Sequence, residues 1–219
     1  MRNLNVDITV SAARILVGVC GTVLSGLMCA TSMAQTLESA VTAYGGYRMG
    51  GQFTDSTTDQ SVDVKSHASY ALAVDIGFDP QSQIELFYSH QKTALSSGLF
   101  APTTNDFPLT IEYFHIGGTY FFDLVDRGGY VVGGLGAAYL RPGDSGLSSD
   151  TRFSGNLGFG YMLPIGPHVG LRFEARGYGT LLDNNTSLFC NSAKGACLVT
   201  IKGNGLYQGE ALVGLSVRF

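Results

Sequence analysis

The residues best placed to do chemistry in this sequence are one serine and two histidines. Ser89 and His90 are adjacent, and His115 follows in a later apolar segment. A serine activated by a histidine is the nucleophile and base of many hydrolases, but a third group must orient the base within hydrogen-bond reach. Adjacent residues of an extended strand point to opposite faces, so Ser89 and His90 are not expected to form this pair. The sequence therefore predicts no catalytic residues, and an enzyme remains one alternative.

The four cysteines fall into two pairs. Cys20 and Cys29 lie in an N-terminal segment that we expect to be removed, and Cys190 and Cys197 remain. An even pair in an oxidising compartment predicts a disulfide. The alternative, a metal site, needs further ligands, and no histidine lies in the surrounding segment. We predict a disulfide, and neither a metal nor a cofactor.

A segment near the C-terminus carries charges at every second position. Arg172, Glu174 and Arg176 alternate with apolar residues, so all three share one face of an extended strand. If this strand crossed a membrane, placing the three charges against lipid would cost several kcal/mol. We therefore expect them to point into an enclosed interior and to pair there with opposite charges. The other expected members of this charge network are Arg48, Asp75, Glu85, Glu210 and Arg218. A plug of paired side chains is one interpretation, and a conducting pore is the alternative.

Period-two alternation of apolar with small or polar residues predicts the strands that position these charges, as in residues 68–78. The pattern predicts eight strands, near residues 40–49, 67–78, 83–93, 109–122, 130–141, 152–163, 168–180 and 204–219. The fourth is ambiguous, because Leu109 and Ile111 favour one phase whereas Phe114 and Ile116 favour the other. A bulge, or a rim above the membrane, would explain the change of phase.

The connections between these strands alternate in length. The links after strands two, four and six are short and the others are generally longer, a rhythm typical of outer-membrane barrels. Residues 51–66, rich in Thr, Asp, Ser and Gln, indicate an exposed loop. A soluble barrel with its apolar side chains inside is the structural alternative. Small residues on the polar face and aromatic residues near strand ends favour an all-β, eight-stranded, antiparallel, up-and-down transmembrane β-barrel.

The first 34 residues are typical of a cleaved signal peptide. Arg2 and Arg14 precede an apolar core at 15–27, and Ser32 and Ala34 are small residues suited to cleavage after Ala34. We expect export through the inner membrane to leave residues 35–219 as one barrel domain. With 14% charged residues and a net charge of −4, the chain lacks the basic surface that nucleic-acid binding requires, so no nucleic-acid partner is expected.

The last strand supplies a more specific likeness. Val213, Leu215, Val217 and Phe219 are apolar at every second position and end on an aromatic residue at the carboxyl terminus. With the segment 170–176, this strand resembles the outer-membrane β-barrel protein family, which includes small OmpA-like and OmpX-like barrels. The resemblance implies a bacterial outer-membrane location and a closing strand that the barrel-assembly machinery reads as its signal.

The resemblance says little about activity. The implied surroundings are outer-membrane lipids and lipopolysaccharide. The favoured function is a non-enzymatic barrel that supports envelope integrity or binds a surface ligand through its extracellular loops. A narrow porin-like channel for small or apolar solutes is the alternative, and an enzyme that modifies lipid A is the third.

Overall fold

The structure, a computed structural model, describes residues 38–55, 61–96, 107–143, 147–182, 186–191, 196–202 and 205–219. All of the regular secondary structure in these ranges is β-strand. Within the same ranges there is no helix of the length and apolarity needed to cross a bilayer. Glu38–Phe219 forms one compact unit. The signal peptide predicted at residues 1–34 lies outside the described residues, so its cleavage stays a prediction.

The described ranges contain twelve strands. They are β1 (Ala40–Met49), β2 (Gln52–Asp55), β3 (Ser61–Val64), β4 (His67–Gly77), β5 (Ser82–Ser96), β6 (Phe107–Phe121), β7 (Gly128–Pro142), β8 (Asp150–Pro164), β9 (Val169–Leu181), β10 (Thr186–Asn191), β11 (Ala196–Lys202) and β12 (Gly205–Arg218).

Eight of these strands close an antiparallel barrel. β1, β4, β5, β6, β7, β8, β9 and β12 are hydrogen-bonded in that order, and β12 pairs back with β1. Each barrel strand is followed in the chain by its neighbour in the wall or by short extra strands, which is the up-and-down arrangement. The predicted eight-stranded barrel is confirmed, and the predicted strand ends differ from those observed by no more than three residues.

Side chains alternate between the two faces of the wall. Leu157 and Phe159 on β8 are 73% and 67% exposed, whereas Arg172 on β9 is 0% exposed. In a closed barrel the buried face is the interior, so large apolar side chains point outward and charged side chains point inward. This distribution matches a wall surrounded by hydrocarbon.

The four short strands extend the sheet beyond the barrel at the end with the long connections. β3 pairs with the end of β5 through Asp63 and Ser96, and β2 pairs with β11 through Asp55 and Ile201. The sequence interpretation of residues 51–66 as an exposed loop is therefore wrong in part. Val62 is 0% exposed and packs in the core. The polar composition hid a short alternating strand, which is stabilised by neighbours distant in sequence.

The ambiguous fourth strand, β6, contains no bulge over its pairing with β7. Leu109 to Phe121 pair residue for residue with β7. Leu109 and Ile111 are buried in the interior, whereas Phe114 and Ile116 are exposed on the outside. The apolar pattern changes phase because the interior itself becomes apolar near the long connections.

The short connections at the opposite end are tight turns. The Asp79 carboxylate accepts a hydrogen bond of 2.8 Å from the backbone N–H of Gln81, and this bond lowers the pKa of Asp79. Gly128, at the start of β7, has φ of 82°, a left-handed conformation that glycine adopts most readily. Short turns lie on the periplasmic side of outer-membrane barrels, so the long connections face outward from the cell.

Candidate functional site in the barrel interior

β9 directs three charges into the centre of the barrel. The Arg172 Nη1 donates a hydrogen bond of 2.6 Å to Asp75 Oδ2. Arg176 donates through both terminal nitrogens to Glu85, at 2.9 and 2.8 Å. Asp75 and Glu85 are paired residues of β4 and β5, so two carboxylates lie side by side. The arginines reach across the lumen and neutralise them, in the bidentate geometry that strengthens such pairs.

Glu174 lies between the two arginines. Its Oε1 accepts from the Arg176 Nε, and its Oε2 lies 3.7 Å from the Arg172 Nη2. The hydroxyls of Tyr130 and Tyr44 also donate to Glu174 Oε2, at 2.8 and 3.4 Å. Three carboxylates and two guanidinium groups therefore share this central network, with a formal charge of −1.

Glycines make room for both tyrosine rings. Tyr130 is paired with Gly160 across β7 and β8, and a Cβ atom on Gly160 would lie 2.3 Å from the ring. Tyr44 is paired with Gly214 across β1 and β12, and a Cβ there would lie 2.4 Å from its ring. Real carbon atoms do not approach so closely, so these positions need glycine for the tyrosines to reach Glu174.

A second charged group lies nearer the long connections. The Arg48 Nη2 is 3.2 Å from Glu210 Oε1, and the Tyr178 hydroxyl donates to the same carboxylate. Ser89 accepts a hydrogen bond from Arg48 and donates to Glu210 at 3.3 Å. The guanidinium carbon of Arg48 lies 4.8 Å from the ring centre of Tyr113. Arg48 and Glu210 thus form a separate, enclosed pair.

Arg218 belongs to neither group. It lies at the rim with the short turns, where its Nη1 is 3.4 Å from Asp126 and 3.7 Å from Glu38. Its Nη2 donates to the Pro167 carbonyl at 3.2 Å. Asp126 also accepts from Arg127, and this hydrogen bond lowers the pKa of Asp126. The structure therefore brings together seven of the eight charges proposed from sequence, in two groups, and leaves Arg218 at the rim.

Apolar layers lie at both ends of the charged groups. Near the long connections the interior is filled by Val62, Val64, Leu95, Leu109, Ile111, Leu140, Leu182 and Leu206. Near the short turns it is filled by Phe121, Tyr130, Val132 and Met162. The described part of the lumen is therefore occupied by side chains at successive depths.

The serine and histidines do not form a hydrolytic centre in the described residues. Ser89 faces the interior and His90 the outside, as expected for adjacent strand residues. The structure places Ser154 beside His115, with 3.2 Å between Oγ and Nε2, a contact that the sequence did not predict. Among the described residues, the His115 Nδ1 has no hydrogen-bond partner, so none of them orients this histidine as a base. Among the described residues there is also no cluster of metal-binding side chains.

The predicted disulfide concerns the β10–β11 hairpin. Its backbone register pairs Cys190 directly with Cys197. The side chains of this hairpin lie outside the described residues, so the disulfide stays a prediction.

The proposed assembly signal lies on the closing strand. Val213, Leu215 and Val217 of β12 point outward, and Phe219 follows the strand with 74% exposure. β12 pairs with both β1 and β9, so it completes the wall. Its role as a signal for the assembly machinery also stays a prediction.

Sequence reasoning missed the polar residues that connect the charges. Tyr44, Tyr130 and Tyr178 all point inward and donate to buried carboxylates. Their positions in the alternating pattern could have identified them, since Tyr178 is on the same face of β9 as Arg172 and Arg176. Tyrosines of the outer belt have the same composition, so residue type alone does not separate the two sets.

The fold and the interior define a class of protein. An antiparallel barrel with apolar side chains outside and paired charges inside reverses the arrangement of a soluble barrel, and is that of an integral outer-membrane protein. The chain matches the family described as outer membrane protein beta-barrel domain over residues 20–219, and it belongs to this family. Membership implies a location in the bacterial outer membrane. No curated protein matches the chain.

Two solved structures with TM-scores above 0.5 show the same fold, and a third is matched at a lower score. Neisserial surface protein A is 15% identical, with a TM-score of 0.54 over 83% of this chain and 97% of that one. The outer membrane protein AlkL is 10% identical, with a TM-score of 0.54 over 83% and 90%. The N-terminal barrel domain of Pseudomonas aeruginosa OprF is 11% identical, with a TM-score of 0.47 over 84% and 98%. At these identities the likeness concerns the fold.

Proposed function

We propose that the protein is a non-enzymatic, non-conducting barrel that supports envelope integrity or binds a surface ligand through its outward end. The observation that carries this proposal is that side chains close the lumen at three successive depths. Arg176 and Glu85 pair across the middle, Arg48 and Glu210 pair above them, and an apolar core fills the mouth. An ion crossing the barrel would have to displace paired charges and then enter an apolar layer, which is costly in both steps.

The outward end offers a surface for a ligand. β2, β3, β10 and β11 join into a sheet that continues from β5, so part of this end is ordered by backbone hydrogen bonds. Surface loops held on a rigid scaffold commonly carry binding specificity. The predicted disulfide between Cys190 and Cys197 would stiffen the same region.

Planar-bilayer recordings test the closed lumen. We expect the purified, refolded protein to give no stable unitary current. A steady current that changes with the Arg172→Gln or Arg176→Gln substitution would overturn the proposal. A variant of the exposed rim residue Arg127 provides the matched control, since its charge lies outside the lumen.

A narrow channel for small solutes is the second candidate, and one observation favours it. Thr119 and His115 on β6 and Asn156 on β8, the two strands that flank β7, point inward, and each has a buried polar atom with no hydrogen-bond partner in the described structure. Buried polar atoms of this kind are commonly satisfied by water. A water file along this wall would give a small current that is abolished by Asn156→Leu and unaffected by Arg127→Gln.

The enzymatic alternative has a separate test. Mass spectrometry would compare lipid A from cells with and without the protein. We expect unchanged acylation, because the described residues contain no oriented serine and histidine pair. A gain or loss of one acyl chain that depends on the protein would refute the non-enzymatic proposal.

A further inference from the structure

The outside of the barrel carries its charges in one place. Over the outward-facing positions of the eight barrel strands, the described charged residues are Lys92 on β5, Glu112 on β6 and Arg141 on β7. These three strands are neighbours in the wall. Elsewhere the same face is built from apolar, glycine, tyrosine and small hydroxyl residues. Charges on a hydrocarbon-facing wall are costly, so their grouping requires a physical reason.

The level of the cluster along the membrane normal explains in part why the barrel tolerates these outward-facing charges. Glu112 and Tyr120 are both outward residues of β6 and lie eight positions apart. At a rise of ~3.3 Å per residue and a strand tilt of ~40°, Glu112 lies roughly 20 Å above the aromatic residues of the inner rim. An apolar band of ~25 Å that begins at those aromatic residues therefore ends about two residues beyond Glu112, at the level of Thr110. The cluster lies where the outer-leaflet headgroups begin.

Direct contacts fix the geometry of the cluster. Arg141 Nη2 donates to Glu112 Oε2 at 2.9 Å, and its side chain remains 55% exposed. Glu112 Oε1 accepts from the Tyr88 hydroxyl at 2.7 Å and lies 3.1 Å from the His90 Nδ1. Tyr70 stacks on His90 with ring centres 4.7 Å apart. The carboxylate is thus enclosed by donors, while the guanidinium is held at the surface.

The cations form the outermost row of the cluster. Lys92 and Arg141 are both paired with Thr110, from opposite sides of β6, so their Cα atoms flank the same residue. Both side chains are exposed. Glu112 offsets one of the two positive charges, and it lies in the row below. The row that faces the headgroups is therefore cationic and includes a guanidinium, which matches the geometry of phosphate oxygens.

We propose that Lys92, Thr110 and Arg141 form a binding site for the phosphorylated headgroup of the outer-leaflet glycolipid, lipid A. Glu112 acts as a positioning residue that holds Arg141 against the wall. The occupant is a lipid, because these side chains point sideways into the membrane boundary rather than into the lumen or away from the cell. The site does not depend on whether the lumen conducts.

Native mass spectrometry of the refolded protein in detergent tests the site. The probes are bisphosphorylated lipid A and lipid A from which both phosphates have been removed. We expect binding that prefers the bisphosphorylated form, and an affinity for it that is at least about tenfold lower in the K92Q/R141Q variant, since the two lost charged contacts together are worth on the order of 1.4 kcal/mol or more. R127Q, which removes one cation from the opposite rim, should bind like the unmodified protein.

Three outcomes would overturn the proposal. One is equal affinity of K92Q/R141Q and the unmodified protein for bisphosphorylated lipid A. Another is equal binding of the two lipid probes. The third is a dimer that dissociates in K92Q/R141Q without any change in lipid binding, which would assign the cluster to a protein contact. Retained gel mobility of the unheated variant establishes that it is folded, so a loss of binding is not a loss of the barrel.

Discussion

Replacing Arg176 with methionine removes the cation that contacts two of the three central carboxylates. Arg176 donates to both oxygens of Glu85 and to Glu174, and its guanidinium carbon lies 3.7 Å from the ring centre of Phe87. Methionine retains the apolar stem against that ring. The substitution changes the formal charge of the central network from −1 to −2 in a site where all members are buried.

The arithmetic of charge predicts an asymmetry between the two partners of this ion pair. Removing one partner of a buried pair costs about 3–5 kcal/mol, and we expect Arg176→Met to lie in this range. Glu85→Gln instead brings the network to neutrality and keeps a hydrogen-bonding amide, so we expect about 1–3 kcal/mol. The double variant returns to −1 and should be about 2 kcal/mol more stable than the sum of the single effects predicts.

Urea unfolding of the protein refolded in detergent micelles measures these differences. The chain contains no tryptophan, so folded fraction is followed by tyrosine fluorescence and by the gel mobility of unheated samples. Arg127→Met is the control, because Arg127 pairs with Asp126 at the exposed rim and should change stability by less than about 0.5 kcal/mol. The reasoning is refuted if Glu85→Gln costs as much as Arg176→Met, or if the two effects are additive.

Three further changes test other parts of the structure. Gly160→Ala would place a methyl 2.3 Å from a tyrosine ring and should cost about 1–3 kcal/mol in the same unfolding assay, whereas Gly45→Ala, with open space around it, should cost little. Cys190 and Cys197 should give an intact mass about 2 Da below that of the reduced protein, a shift that Cys190→Ser abolishes; an unchanged mass on reduction would contradict the disulfide. Deleting Phe219 should lower the amount of heat-modifiable barrel in membranes, and a normal yield would contradict its role in assembly.

The sequence predicted the barrel because the lipid outside and the narrow interior both select residue types with the same two-residue period. Each strand must place apolar residues in hydrocarbon and small or charged residues inside, so β9 shows its parity directly in Arg172, Glu174 and Arg176. It did not predict which charges meet. Arg172 and Asp75 are 97 positions apart and contact each other across the lumen, which depends on the stagger of all eight strands. Arg218 shares the inward parity but is the last residue of β12, at the end of the barrel with the short turns, and so reaches only the rim.

The same dependence on depth explains the error at the outward end. The rule that apolar residues face outward holds only where lipid surrounds the wall. Above that level Leu109 and Ile111 turn inward, because the interior is closed by the β2–β3 hairpin and becomes an ordinary hydrophobic core. The periodicity indicates that a strand has two different faces. The position of the membrane boundary decides which of these faces is apolar.

The ion pairs and the apolar core that close the lumen would be disrupted by different conditions. This limits how the barrel could open. High salt screens exposed charges but acts weakly on Arg176 and Glu85, which are buried. Displacing the outer apolar core would require β3 to leave β5, with loss of the pairing at Val64 and Leu95. A single ligand at the outward surface would therefore remove at most one barrier, and the ion pairs in the middle would remain. Such a scaffold is better suited to holding a fixed outward surface than to admitting a solute.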